Sequence, residues 1–259
     1  MTTQHYSPVE MMAVAAAREI RDGEVVFAGT GLPMLATMLA QRTHAPDCVI
    51  VFEAGAVDPR MLQLPMSVGD SRTLVGAAQS AGLFEIFNYV LQGGRVDVGF
   101  LGGAQIDRYG NINSTAIGAN PRQPDVRLPG SGGSADVAAL SGRTVIIAHH
   151  QRRRFPPRLD YCTSPGWIDG GDTRRAAGIY GGGPSAVVTT LGVIRYREQT
   201  RLPYLASFHP GLNTQRVQAE TGFELDLGDA HETLSPSAEE LDILRRQIDP
   251  DGIFLKPLE

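Results

Sequence analysis

The stretch Cys48-Val49-Ile50-Val51-Phe52-Glu53-Ala54-Gly55 decides the fold class. Its first five residues are apolar, too few for a helix, and without the polar alternation of a half-solvated strand. Such a run predicts a strand buried on both faces, as in a parallel sheet covered by helices. An acidic residue follows at once, and a glycine comes two positions later. The same grammar recurs on either side. Ser7-Pro8-Val9-Glu10 reads as a capping box with proline at the first helical position. It opens an amphipathic run over residues 11–20 that stops at Gly23. Residues 25–28 are β-prone and break at Gly29-Thr30-Gly31, after which Pro33 starts a helix to about Gln41. Residues 83–91 predict a helix. Residues 96–101 predict a strand that ends at Gly102-Gly103, and residues 144–148 another buried strand. Between these two strands, residues 105–136 read as a long, turn-rich stretch. Residues 186–208 read as strands with turns, and residues 235–248 as a closing helix with a second capping box, Ser237-Ala238-Glu239-Glu240. Strands alternating with helices predict an α/β fold, an open, largely parallel sheet with flanking helices. No Gly/Ser/Pro-rich linker separates two halves, so residues 1–259 are expected to form a single domain.

Composition narrows the function. The chain is 42 % hydrophobic, enough for a sizeable core, and its net charge is −5 with no long basic block. That argues against nucleic acid as a partner. Arg152-Arg153-Arg154 reads as a solvated turn at a strand exit. Two cysteines, Cys48 and Cys162, make no disulfide framework and fit a reduced, cytoplasmic setting. No signal-peptide pattern opens the chain, and no run of 18 apolar residues predicts a membrane span. Among 22 arginines there is a single lysine, Lys256, near the end of the chain. Phosphate-loop and Schiff-base chemistry would both have to fall on it, and both are set aside.

In open parallel sheets ligands bind outside the carboxyl ends of the strands. Those positions here hold Gly29-Thr30-Gly31, Glu53-Ala54-Gly55, Gly102-Gly103-Ala104-Gln105 and His149-His150. Glycine there lets a ligand approach the backbone, whose N–H groups cradle negative charge. Glu53 at such an exit is a general base, a covalent nucleophile, or no more than a cap or surface carboxylate. Gly130-Ser131-Gly132-Gly133 is either an oxyanion-binding loop or a flexible turn. Other motifs fail. Gly29-x-Gly31 meets Met34 where the dinucleotide fingerprint needs glycine, no GxSxG elbow occurs, and no spacing suggests metal ligands. Asp97 and Asp107 read as strand-edge and turn residues.

Taken together and in order, the motifs resemble the β subunits of the class I CoA-transferase family, the glutaconate CoA-transferase branch above all. They are GTGLP at 29–33, APD at 45–47, the E-x-G of Glu53 and Gly55, SVGD at 67–70, and GGAQIDRYGNINST at 102–115. GSGG at 130–133, RRF at 153–155, TSPGWIDG at 163–170, TGF at 221–223 and IDP at 248–250 complete the set. The resemblance implies the CoA-transferase fold, with Glu53 as the nucleophile and Gly133 as an oxyanion-hole donor. It implies Gly29, Gly31, Gly102, Gly103, Gln105 and Gly132 as CoA-contacting positions. It also implies no metal and no permanently bound cofactor, with coenzyme A as co-substrate beside acyl-CoA and carboxylate substrates. The partner it implies is an α subunit, in an α2β2 or larger assembly. The chain departs from the pattern at Ala54, where relatives often have Ser or Asn. It departs also at Phe27, about where some relatives supply an Asn donor. Two other readings use the same scaffold: a CoA-thioester hydrolase, which would admit water to the acyl-enzyme, and a ligand-sensing domain, which would not need Glu53. A decarboxylase lineage of the scaffold lacks the E-x-G glutamate.

Overall fold

The computed structural model describes residues 5–255, so Lys256 lies outside the described residues. The chain forms two compact units, Met1–Phe100 with Leu234–Glu259, and Leu101–Thr233.

In the first unit Ser7 and Glu10 exchange side-chain and backbone hydrogen bonds, 3.1 and 2.7 Å, and cap helix α1 (Pro8–Ala17). The expected amphipathic run is in fact buried without a break from Val9 to Ala17. Such a helix belongs to a protein interior, and its alanines let neighbours pack closely. Strand β1 (Val25–Phe27) leads to α2 (Leu32–Arg42) and then β2 (Val49–Val51). Two-residue strands β3 (Ala56–Val57) and β4 (Gln79–Ser80) follow. Next come α3 (Leu83–Glu85), which runs on as the π-helical turn Ile86–Leu91, and β5 (Val98–Leu101). The strand order is β5-β1-β2-β3-β4. β1 pairs in parallel with both β2 and β5, while β3 and β4 add antiparallel edges.

The second unit opens with two small ribbons inside the stretch expected to be turns, β6 (Gln105–Ile106) with β7 (Ile112–Asn113) and β8 (Ala116–Ile117) with β9 (Val126–Arg127). Strands of two residues carry no readable period. Then come α4 (Ser134–Leu140), β10 (Arg143–Ala148), α5 (Thr173–Ala176) and β11 (Pro184–Thr189). The unit ends with β12 (Gly192–Tyr196), β13 (Pro203–Phe208), α6 (Thr214–Ala219) and β14 (His231–Glu232), in the order β14-β13-β12-β11-β10. β10 and β11 are parallel, β11, β12 and β13 antiparallel, and β14 parallel to β13. The expected α/β class, with buried parallel strands at its centre, is the one found. The antiparallel pairs are those of β2, β3 and β4 in the first unit and of β11, β12 and β13 in the second.

The chain returns to the first unit as α7 (Ala238–Asp242), continued by the π-helical Ile243–Ile248. Ser237 and Glu240 repeat the capping box of α1. Each capping glutamate also takes an arginine from the opposite end of the chain. Arg18 Nη2 meets Glu240 at 2.8 Å, and Arg245 Nη2 meets Glu10 at 3.0 Å. Burial alone raises the Glu10 and Glu240 carboxyls, but these arginines and the cap N–H groups bring both below the ordinary range.

The second unit buries polar groups and answers most of them with hydrogen bonds, Arg108 Nε, Ser141 Oγ and Arg154 Nε excepted. Arg174 is 3 % exposed and donates to the carbonyls of Gly181, Pro165, Gly166 and Ala138. His150 sits between two hydroxyls, with Nδ1 2.9 Å from Thr189 Oγ1 and Nε2 3.0 Å from Thr221 Oγ1, and its ring stacks on Phe155. His209 Nε2 donates to the Thr189 carbonyl at 2.8 Å. Burial, then His209, holds His150 down at about 3, and burial lowers His209 although its bond to Thr189 opposes the shift.

An unfolded histidine takes a proton near 6.5, and a folded His150 only near 3. Between those values the unfolded chain holds the extra proton, so acid favours unfolding. Urea midpoints measured from pH 7.5 down to 4 are expected to fall steadily below about pH 6.5, and less steeply in His150→Gln. Equal slopes in the two proteins would contradict this account.

Candidate active site

Glu53 does not enter a loop toward a helix, as a parallel-strand exit suggests. The chain doubles back instead. Phe52 N–H donates to the Ala56 carbonyl and Gly55 N–H to the Phe52 carbonyl, both 3.0 Å. Glu53 and Ala54 are therefore the two corner residues of a tight turn from β2 into antiparallel β3. Gly55 makes that turn possible. Its φ is +120°, and a Cβ there would lie 1.8 Å from the Ala81 carbonyl oxygen. The same neighbours are joined the other way, since Ala81 N–H donates to the Gly55 carbonyl at 2.9 Å. Phe52 anchors the near side with a side chain that is 0 % exposed. The Glu53 side chain is half-buried, and among the described residues nothing hydrogen-bonds or pairs with its carboxylate. A carboxylate on a rigid turn with no internal partner is free to meet a substrate.

Gly29 and Gly31 lie beside it on the neighbouring strand exit, because Ala28 N–H donates to the Val51 carbonyl at 3.0 Å. Gly31 is the N-cap of α2 with φ 84° and ψ −133°. No heavy atom lies within 4 Å of where a Cβ would stand on Gly29 or Gly31. The first-turn N–H groups of α2 have no partner within the helix. Phe27 is packed edge-on against Phe87, ring centroids 5.8 Å apart, so its position offers no polar donor.

In the second unit Gly102 is exposed at the end of β5, whereas Gly103 is a packing requirement. A Cβ on Gly103 would lie 2.2 Å from Ile112 Cγ2. The Gln105 side chain is buried, and both ends of its amide are engaged. Nε2 donates to Asp160 Oδ2 at 3.0 Å, and Oε1 accepts from Asn113 Nδ2 at 2.8 Å and from Asp160 N–H at 3.1 Å. Any ligand contact from this residue falls to its backbone. Gly130, Gly132 and Gly133 form the other loop. Ser114 grips Gly130 twice, accepting at its carbonyl from Gly130 N–H at 2.8 Å and donating Oγ to the Gly130 carbonyl at 2.9 Å. Gly132 has φ +49°, is exposed and has open space beside it, and Gly133 is the N-cap of α4. Ser134 Oγ lies 2.8 Å from Ser164 Oγ, and Thr163 Oγ1 accepts from Ser114 N–H at 2.9 Å.

The structure thus gathers the predicted residues of each unit at strand exits. Glu53, Gly29 and Gly31 share one edge of the first unit. In the second, Ala104, next to Gly103, donates to the Asn113 carbonyl, and Ser114 holds Gly130, where the Gly132–Gly133 loop begins. Residue-by-residue reading missed the positioning groups Asn111, Asn113, Ser114, Asp160 and Thr163. Asn111 alone holds Asp107, Gly166 and Ile168. The signal available was the density of Asn, Ser and Thr in the 102–115 and 163–170 motifs. Asp107 closes a turn onto Tyr109 and Asn111, and Asp97 receives the edge N–H of Val25. Among the described residues no three His, Cys, Asp or Glu side chains gather as metal ligands. No described helix is long and apolar enough to cross a membrane.

Comparison with known proteins matches residues 9–220 to the family described as coenzyme A transferase. The chain is 40 % identical to the B subunit of glutaconate CoA-transferase from Acidaminococcus fermentans, over 97 % of this chain and 96 % of that one. The crystal structure of that glutaconate coenzyme A-transferase superposes with a TM-score of 0.91, covering 98 % and 99 % of the two chains. Identity to the B subunit of 3-oxoadipate CoA-transferase from Pseudomonas knackmussii is 42 %, over 93 % and 92 %. Identity to the cholesterol ring-cleaving hydrolase IpdB subunit of Rhodococcus jostii is 28 %, over 88 % and 89 %.

The turn geometry makes a sharp contrast between two glycines. Gly55→Ala is expected to cost about 3 kcal/mol in a chemical-denaturation experiment, from a forced clash and an unfavourable φ. Gly29→Ala, with open space, is expected to cost under about 1 kcal/mol. Equal losses would show that the Gly55–Ala81 contact is not what holds the turn.

Proposed function

Because the chain belongs to the coenzyme A transferase family, we propose that it is the β-type subunit of a heteromeric enzyme that moves CoA between an acyl-CoA and a small carboxylate or dicarboxylate. Glutaconate and 3-oxoadipate, which the relatives' names specify, are the candidate acceptors. The observation that carries the reading is the Glu53 turn: a half-buried, unengaged carboxylate at a strand exit, in register with a family whose members handle CoA thioesters.

A Glu53 oxygen attacks the thioester carbonyl, the C–S bond breaks, and CoA leaves as thiolate, giving a mixed acyl-glutamyl anhydride. The thiolate then attacks the Glu53 carbonyl carbon. The first carboxylate leaves, and Glu53 carries CoA as a thioester. An incoming carboxylate runs the two steps in reverse and restores the Glu53 carboxylate. A thioester is exchanged for a thioester, so ATP is not required. Each tetrahedral intermediate places charge on an oxygen that needs fixed N–H donors. We assign that role to the Gly133 backbone N–H, with Gly132 beside it as a CoA contact, and one such donor is worth about 10²–10³ in rate. Gly29, Gly31 and Gly102 leave backbone open to CoA, whose remote nucleotide supplies binding energy for the reacting centre. Coenzyme A is co-substrate, and no permanently bound cofactor is invoked. Residues 1–259 act as one subunit, cytoplasmic, paired with an α-type subunit as α2β2 or larger, with no nucleic acid or membrane partner. A hydrolase, in which water replaces the acceptor, is the second reading, on the 28 % relative. The higher identity to two transferases supports transfer.

Borohydride added to enzyme pre-incubated with acyl-CoA is expected to inactivate it and to leave a reduced residue 53 in the peptide map. Glu53→Ala is expected to take no label and to lose about 10⁴-fold or more in activity. A label on another residue would end the proposal. Assay of the chain alone and co-purified with its α-type partner tests the heteromer, for full activity in isolation contradicts it. CoA release that proceeds without a carboxylate acceptor would favour the hydrolase.

A further inference from the structure

Arg154 is a half-buried cation that its surroundings leave unanswered. It ends the single 3₁₀ turn Arg152–Arg154, which follows β10 and His149-His150. Its Nη1 donates to the Gly103 carbonyl at 3.2 Å, and its Nε is buried with no acceptor. Among the described residues no carboxylate pairs with it. A guanidinium offers five N–H donors, and one is engaged. Burial, then the Arg153 charge, makes the cation harder to hold, and His149 nearby is lowered by burial and then by Arg154 itself.

The neighbouring arginines are accounted for. Arg152 donates to the Ala219 and Thr221 carbonyls, and Arg153 Nε to Gln151. Arg174 is saturated by four carbonyls. Arg108 also has a buried Nε without an acceptor, but it sits toward the other end of the strands, since its neighbour Gly110 packs on Pro184, where β11 begins. Arg154 instead stands where β10 ends, against the glycines that follow β5. An unpaired charge taken out of water is strongly unfavourable, so its position calls for an anion from outside the chain. There is room for one. A Cβ built on Gly102 would find only the Ile147 carbonyl oxygen, at 3.5 Å. A planar guanidinium matches the two oxygens of a carboxylate or phosphate better than a lysine could.

We infer that Arg154, beside the open backbone of Gly102, binds an oxyanion of the substrates, in first place the second carboxylate of a dicarboxylate acceptor. This rests on the CoA-transferase reading and names the group in this chain that selects the acceptor. A phosphate of CoA has the same chemistry, and the experiment separates the two.

The complex with the partner subunit is assayed with acetyl-CoA as donor and glutaconate, 3-oxoadipate or propionate as acceptor, for wild type, Arg154→Gln and Arg154→Lys. Circular dichroism and co-purification establish that each variant folds and assembles. Arg154→Gln is expected to raise KM for both dicarboxylates about tenfold or more, and to leave kcat and the KM values for propionate and acetyl-CoA within about twofold. Arg154→Lys is expected to recover part of the loss. A rise confined to acetyl-CoA assigns the oxyanion to CoA instead, which keeps the anion site but overturns the acceptor assignment. Equal changes for all substrates, or none, overturn the site. Calorimetric titration with glutarate, which needs no turnover, is expected to give heat with wild type and about tenfold weaker binding with Arg154→Gln. If wild type binds glutarate but transfers no CoA, the functional reading fails while the anion site stands.

Discussion

The ladder that sets Val25, Val26 and Phe27 in parallel beside Val49, Ile50 and Val51 constrains everything else in the first unit. Parallel strands cannot be joined by a short turn. Each must be followed by a crossover that returns the chain to the starting edge. Every exit therefore opens on the same edge, and residues that follow different strands become neighbours. Gly29 and Glu53 are brought together in this way, through a single hydrogen bond from Ala28 to Val51. The exception is the turn at Glu53 itself, where the chain reverses at once into β3. That reversal holds the carboxylate on a short, pinned corner instead of a long loop, and rigid support is what a reacting group needs.

Apolar runs made the central strands readable. Residues 49–51 and 143–148 are buried nearly throughout, and β-branched residues leave little choice of conformation. Both capping boxes were readable because each needs a serine and a glutamate three apart, and both formed with their reciprocal bonds. Other features left no local trace. β3 and β4 are two residues each and exist because Gly55 admits the Ala81 carbonyl, a contact across 26 positions that no window contains. The unbroken burial of α1 depends on what covers it, not on its own period. At the site, Glu53 was legible as a strand-end acid, but spacing alone could not choose between a nucleophile and a cap. The role of Gln105 was not legible. A glutamine in a glycine-rich motif invites a ligand, and only the positions of Asn113 and Asp160 reveal that its amide already has partners.

The two units are built by different means. The first has a core of Ala, Val, Leu, Met and Phe, with charge confined to helix ends. The second places Asn111, Asn113, Gln105, His150, His209 and Arg174 in its interior, most of them bonded to backbone groups. Irregular loops have carbonyls and N–H groups with no helix or sheet partner, and buried ones must be answered by side chains. The polar interior of this unit is the consequence of holding long loops still. Loops held in this way can present glycine N–H groups in fixed directions, with little reorganisation left for the moment of reaction.

The reciprocal pairing of α1 with α7 has a consequence for the order in which the protein can assemble. Glu10 takes Arg245, and Glu240 takes Arg18. The whole of Leu101–Thr233 is threaded between the two pieces of the first unit. On the ribosome, the residues of the first unit that precede Leu101 emerge before Glu240 and Arg245 and must wait for them before both ion pairs can close. The inserted unit has all its strands in one continuous segment and meets no such delay. The inserted half is thus free to finish first, while the glutamate-bearing half remains open until α7 and the turn that continues it have been made.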